Sequence, residues 1–272
     1  MARKLLNLRI LCVALMAMLA FVSCQRVIDV DIATASQKLV IEANLTDITA
    51  TQSVLISRSV SYNSTNVFPA VSGAVVTIVD GSSGKISKLP ESTTVPGTYS
   101  IATFKGKALN TYTVNVTVEG KLYSAIGLLP FPVNLDSLTL SNQVIGNDQI
   151  KTISVNYHDP ANQANQYKYT MFVNGVQVKR IFCENDNLTD GRAVVTALFQ
   201  REIDLKKGDK VEVEMQCIDS NMYNFWNNLS NQGGNSPQDS STPANPPSNF
   251  FNSNVLGYFS AHTSQRKAII IP

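Results

Sequence analysis

The sequence predicts an all-β chain of two antiparallel, immunoglobulin-like β-sandwich domains, the second carrying one inserted α-helix. Three observations predict it. From Lys38 onward, apolar residues recur at period two in short runs. Gly, Pro, Asn and Asp punctuate those runs at the spacing of turns. One stretch alone shows an apolar stripe at i, i+3, i+4 and i+7.

The first domain, residues 38–130, opens with Leu39-Val40-Ile41 and continues with a run over 52–59. Residues 73–80 follow and end in the turn cluster Gly81-Ser82-Ser83-Gly84. A short run over 97–101 leads to the clearest alternation, with Tyr112, Val114, Val116 and Val118 on one face and Thr113, Asn115 and Thr117 on the other. Glu119-Gly120 then turns into residues 121–126. Pro130-Phe131-Pro132 resists both helix and central strand and marks a boundary.

In the second domain, residues 131–272, Ile153, Val155 and Tyr157 alternate with polar neighbours. Tyr167, Tyr169, Met171 and Val173 run into Asn174-Gly175, a hairpin signal because both residues tolerate positive φ. Residues 193–203, 211–218 and 267–271 supply further strands. The helix is expected at 220–231, capped by Asp219 or Ser220, with Met222, Phe225, Trp226 and Leu229 packed on the sheet. Residues 231–250 form a Gly-, Pro-, Ser- and Asn-rich loop without periodicity.

The N-terminus is of another kind. Arg3, Lys4 and Arg9 precede an apolar run of about a dozen residues, shorter than the roughly 20 needed to span a bilayer. That pattern is a signal peptide, residues 1–23. It ends Phe21-Val22-Ser23-Cys24, a bacterial lipobox, whose chemistry needs the Cys24 thiol to carry diacylglycerol before cleavage. Cys24 is therefore the expected lipid anchor and membrane contact, and residues 24–37 a lipidated tether. Two or three acyl chains anchor stably, at about 0.8 kcal/mol per buried methylene.

Cleavage removes three basic groups, so a formal +2 becomes 19 basic against 20 acidic residues in the mature chain. Charged residues are 15% of the sequence, against about 25% in an ordinary domain, and 25 Asn help supply the missing polarity. No run of basic residues is longer than a doublet such as Lys206-Lys207, so no nucleic-acid partner is expected.

Four cysteines are too few for a disulfide scaffold. After loss of Cys12 and lipidation of Cys24, Cys183 and Cys217 remain as a candidate disulfide. Cys217 also shares the face of Val211, Val213 and Met215, where a buried free thiol is equally expected.

Catalytic constellations are missing from the pattern. His158 and His262 stand alone and read as solvated strand-end groups. There is no nucleophile elbow, phosphate loop or dinucleotide fingerprint. The Glu184–Gly191 segment resembles a calcium loop in composition, through Asn185, Asp186, Asn187 and Asp190, but lacks the bidentate Glu. No metal, no cofactor and no catalytic residue are expected.

The order of motifs resembles one family. Gln25 to Asp31 after the lipobox, Lys38 to Ala43, Val71 to Ile78 and Pro96-Gly97-Thr98-Tyr99 are similar to its first half. Leu135 to Leu138, Tyr167 to Gly175, the helix around Tyr223 to Leu229, Asn252 to Ala261 and Arg266-Lys267 are similar to its second. This is the domain of unknown function 4249 family, lipoproteins of Bacteroidota. The resemblance implies an outer-membrane lipoprotein working beside a TonB-dependent nutrient transporter, with either membrane face open, and brings no catalytic residues. The expected partner surface is the 231–250 loop, the strand-end loops and the aromatics Tyr62, Phe68, Phe250, Phe251 and Tyr258. Two alternatives stay open: a structural or adhesive surface protein, and a hydrolase whose carboxylates converge only in three dimensions.

Overall fold

The computed structural model describes residues 36–61, 64–145, 148–201, 203–232, 244–251 and 254–272. The signal peptide, Cys24, nearly all of the 24–37 tether, Tyr62 and residues 233–243 of the long loop lie outside the described residues. In chain order the strands are β1 (Leu39–Thr46), β2 (Ala50–Arg58), β3 (Val75–Asp80), β4 (Ile86–Leu89), β5 (Thr98–Phe104), β6 (Asn110–Val118), β7 (Lys121–Leu129) and β8 (Leu135–Ile145). They continue as β9 (Asp148–His158), β10 (Gln166–Val173), β11 (Val176–Gln177), β12 (Phe182–Asn185), β13 (Ala193–Leu198) and β14 (Lys210–Ile218). The helix α1 (Ser220–Gln232), β15 (Val255–His262) and β16 (Gln265–Ile270) complete them. The protein is thus the all-β sandwich architecture its alternation predicts. No helix among the described residues is long and apolar enough to cross a membrane.

Period-two alternation becomes burial wherever it is cleanest. Leu39, Ile41, Ala43 and Leu45 of β1 point inward, as do Tyr112, Val114, Val116 and Val118 of β6. Two sheets, ordered β15-β1-β2-β5 and β4-β3-β6-β7, enclose the first core. Sheet β13-β9-β8 and sheet β11-β10-β14-β16, which also carries β12 beside β10, enclose the second. There Tyr157 stacks on Tyr167 at 4.8 Å between ring centres, and the Tyr169 hydroxyl donates to that of Tyr157 at 3.0 Å. Asn174-Gly175 turns between β10 and β11 with φ of 51° and 82°, and Glu119-Gly120 repeats the device between β6 and β7 with 51° and 75°. Positive φ at both central positions matches the twist of the paired strands.

The helix caps and packs as its sequence dictates. Asp219 Oδ1 accepts the Met222 amide at 2.9 Å, the N-cap bond that satisfies one orphan donor of the first turn. Met222 and Phe225 are buried, and Trp226 and Leu229 are half-buried against them. The other cap oxygen, Oδ2, accepts the Leu128 amide of β7 at 3.2 Å, tying the helix to the first sandwich.

Residues 255–262 depart from the expected organisation. The sequence assigns them to the second domain, yet they form β15, which lies parallel to β1 from Leu39↔Val255 to Thr46↔His262. The chain beyond Pro130-Pro132 therefore re-enters the first sandwich before returning to the second. Gly257 makes this possible. Its φ is +93°, and a Cβ there would lie 2.0 Å from the Ile41 carbonyl oxygen. From β15 the chain turns through Thr263 and Ser264 into β16. Thr263 and Cys217 exchange hydrogen bonds at 3.1 and 3.2 Å, and the Ser264 amide donates to Asp47 Oδ1 at 2.9 Å.

We predict that Gly257→Ala costs more than about 3 kcal/mol, since it adds left-handed backbone strain to a backbone clash. Its urea midpoint should fall sharply, and proteolysis should start near β15. A midpoint equal to the parent's would show that β15 does not need this glycine.

Candidate functional site

The expected partner surface divides into packed and exposed parts. Phe250 is buried and bridges Ala125 of β7, while the Asn249 side chain pairs with both backbone groups of Phe259, donating at 2.7 Å and accepting at 2.9 Å. Residues 249–250 thus lace the free edge of β15 to the free edge of β7 and close the first sandwich. Tyr258 is half-buried, with its ring 5.0 Å from Phe225 and 5.1 Å from Trp226. The assignment of Phe250 to a contact surface is corrected, because its ring seals a seam. Phe251 remains 69% exposed, its amide donating to the Ser124 carbonyl at 3.0 Å. Pairing of Phe250 with inward-facing Ala125 turns Phe251 to the outer face opposite Ser124, the face on which Ile126 and Leu128 are exposed as well. Phe68 is exposed elsewhere.

The candidate disulfide is not formed; both thiols are free. Cys183 stands opposite Lys168 and Cys217 opposite Tyr167, on strands flanking β10 from either side. Two strand spacings separate them by about 10 Å, beyond the roughly 7 Å limit for a bridge. Lys168 and Tyr167 also face opposite sides of the sheet. Burial pushes the Cys183 thiol up to about 11 and raises that of Cys217 too, so neither is an activated nucleophile.

His262 is buried rather than solvated, which corrects the expectation for it. Ser260 Oγ lies 2.9 Å from its Nδ1. Burial pushes its pKa down to about 4, the nearby Lys168 charge adds to the depression, and Glu214 opposes it. Lys168 is lowered in turn by its own burial and sits over the Trp226 ring at 4.5 Å. Burial pushes Glu214 up, but hydrogen bonds from Ser264, Gln216 and Arg266 outweigh it and hold the carboxyl below its ordinary value. Arg266 pairs with Glu214 at 2.7 Å. These charges are satisfied internally at the join of the two sandwiches, a structural role. His158 is exposed.

A third cluster was not expected. Asp159 ends β9, and Asp186 and Asp190 lie in the β12–β13 connection. One ligand oxygen from each falls within 4.8 Å of the others. Each carboxylate is also held by a protein donor. The Tyr167 hydroxyl donates to Asp159 Oδ1 in a very short bond. The Asn165 amide donates to Asp186 Oδ2 at 2.7 Å, and the Asn162 amide to Asp190 Oδ1 at 2.8 Å. Asp159 is fully buried, and its Oδ2 has no hydrogen-bond partner. Burial raises the Asp159 pKa, and the Tyr167 hydroxyl opposes this; the Gly191 amide also favours the carboxylate, without closing a bond on Oδ2. Two carboxylates at this separation repel by roughly 3 kcal/mol at an effective dielectric of about 20. Chain spacing shows two of the three acids; the third arrives from the β9–β10 connection. The expectation of no metal-binding group gives way to a candidate one.

An open depression elsewhere is lined by Asp47, Lys105, Gly106, Lys107 and Ala108, with one carboxylate facing two lysines. In comparison with known proteins, the family model described as Domain of unknown function (DUF4249) matches residues 25–268. No curated protein matches the chain.

We predict a pH response from His262. The unfolded histidine takes up its proton near 6.5, the buried one near 4. Unfolded chains therefore bind more protons between those values, and stability falls as pH drops through that window, by about 3 kcal/mol in all. Urea midpoints measured from pH 7 to pH 4 should decline less in His262→Gln than in the parent. Identical pH slopes would remove His262 as the cause.

Proposed function

We propose, from the premise that the chain belongs to the DUF4249 family, that it is a non-catalytic lipoprotein of the outer membrane. Cys24 carries its lipid, and it serves as accessory or ligand-binding partner of a TonB-dependent nutrient transporter. The lipobox Phe21-Val22-Ser23-Cys24, directly ahead of a folded body, carries this reading. Residues 25–38 reach at most about 50 Å from the lipid to the start of β1, so the body samples a thin layer at the membrane. Confinement of that kind raises the effective concentration of a binding module for a membrane-embedded partner without new contacts.

The apolar strip of Ile126, Leu128 and Phe251 supports the same reading. Exposed apolar residues grouped on one face mark interaction sites more often than singly scattered ones do, and this strip is held on a paired strand rather than a loose loop. Asp159 and Asp186 are buried and Asp190 alone of the three is exposed, an arrangement that favours a structural role over a substrate-facing one.

Two outcomes are expected. Cys24→Ala should move the protein from the membrane fraction to the soluble fraction. A tag after Pro272 should co-purify a transporter from solubilised outer membranes, and Phe251→Asp should weaken that capture at an unchanged urea midpoint. Recovery of isolated monomer from the parent would refute the partnership.

A further inference from the structure

We propose that Asp159, Asp186 and Asp190 form a binding site for one divalent cation, calcium by its chemistry, which pins the β9–β10 and β12–β13 connections together. The proposal stands apart from the membrane role.

Geometry comes first. Oxygens bound to one calcium ion at about 2.4 Å can lie at most about 4.8 Å from each other. One oxygen from each of the three carboxylates meets that limit. Asp159 Oδ2 is the independent observation. It belongs to a side chain with no solvent exposure and it lacks any hydrogen-bond partner. A buried carboxylate oxygen is costly unless a donor or cation satisfies it. The ion pairs seen among the described residues engage Glu119, Glu212 and Glu214, so no basic side chain neutralises this cluster there.

The surroundings are those of an oriented ligand set. Tyr167 holds Asp159, while the amides of Asn165 and Asn162 hold Asp186 and Asp190, each through one oxygen. Such donors fix the direction in which a carboxylate presents its other oxygen. Asp186 also closes its own loop, its carbonyl accepting the amides of Thr189 at 2.8 Å and Asp190 at 3.0 Å. Ligand type selects the metal. Three carboxylates without His or Cys suit a hard cation, and calcium tolerates the irregular geometry of ligands from two loops better than magnesium does. Asp190 is exposed and places the third carboxylate at the surface, on the solvent side of the cluster.

The test uses the full-length mature protein in detergent, stripped with chelator and then titrated with calcium chloride. The melting temperature should rise with calcium, with a dissociation constant on the order of 10⁻⁴–10⁻³ M. Terbium should bind the same site and give luminescence sensitised by Tyr167, displaced by calcium. Asp190→Asn, on the exposed rim, should retain the fold in chelator and weaken both responses at least about tenfold. Glu212→Gln, elsewhere on the surface, should leave both unchanged. No calcium response in the parent, or an equal response in Asp190→Asn, would overturn the site. An equal response to magnesium would overturn the calcium assignment.

Discussion

The parallel pairing of β15 with β1 is the constraint on which the rest of the architecture depends. A parallel neighbour needs a long crossover, and here the connection runs through β2–β7 of the first sandwich, β8–β14 of the second and the helix. By entering the first sheet at one end and leaving toward β16 at the other, β15 makes the first sandwich contain chain from both sides of Pro130-Pro132. Gly257 allows the approach, and Gly127 on β7 gives way to Phe259 and Ala261 on the facing side, where a Cβ would come within 3.3 Å of both. Small residues thus stand where two sheet edges close on each other.

Polar contacts gather at the same join. Thr263 with Cys217, Ser264 with Asp47 and Asp219 with Leu128 are links that a pair of independent sandwiches would lack. The buried His262 and the half-buried Lys168 and Glu214 belong to this region, their partners supplied by β10, β14, α1, β15 and the turn into β16. The join is therefore costly to open, since separation would strand hydrogen-bonding groups in an apolar setting. The acidic cluster sits elsewhere in the second sandwich, coupled through Tyr167 to the tyrosines of its core. The join and the carboxylates thus occupy different parts of the molecule and can be altered separately.

Much of the fold was legible because alternation reports burial directly. β6, β10 and β14 follow the inward faces read from their residues, and the helix follows its stripe and its Asp219 cap. Other elements left little trace. β4 and β12 are four residues each, too short for a period to emerge. β15 is broken by Gly257, and its partner lies at the far end of the sequence. The aromatics were identified as candidates by type, yet type does not say which ring closes a seam: Phe250 faces Ala125, whereas its neighbour Phe251 faces outward. The thiols failed to pair because register placed them on opposite faces of one sheet. For the carboxylates, Asp186 and Asp190 were visible as a short polar loop, while Asp159 belongs to a different connection.

By itself the sequence determined the all-β class, the hairpin turns and the capped helix, because these depend on residues within a few positions of each other. Tertiary structure alone decided that β15 crosses back to β1, that Cys183 and Cys217 stay apart, and that three aspartates meet. Each of these outcomes rests on distances between residues far apart in the chain. Such distances are fixed by which strands pair and in what register, and local alternation leaves both undetermined.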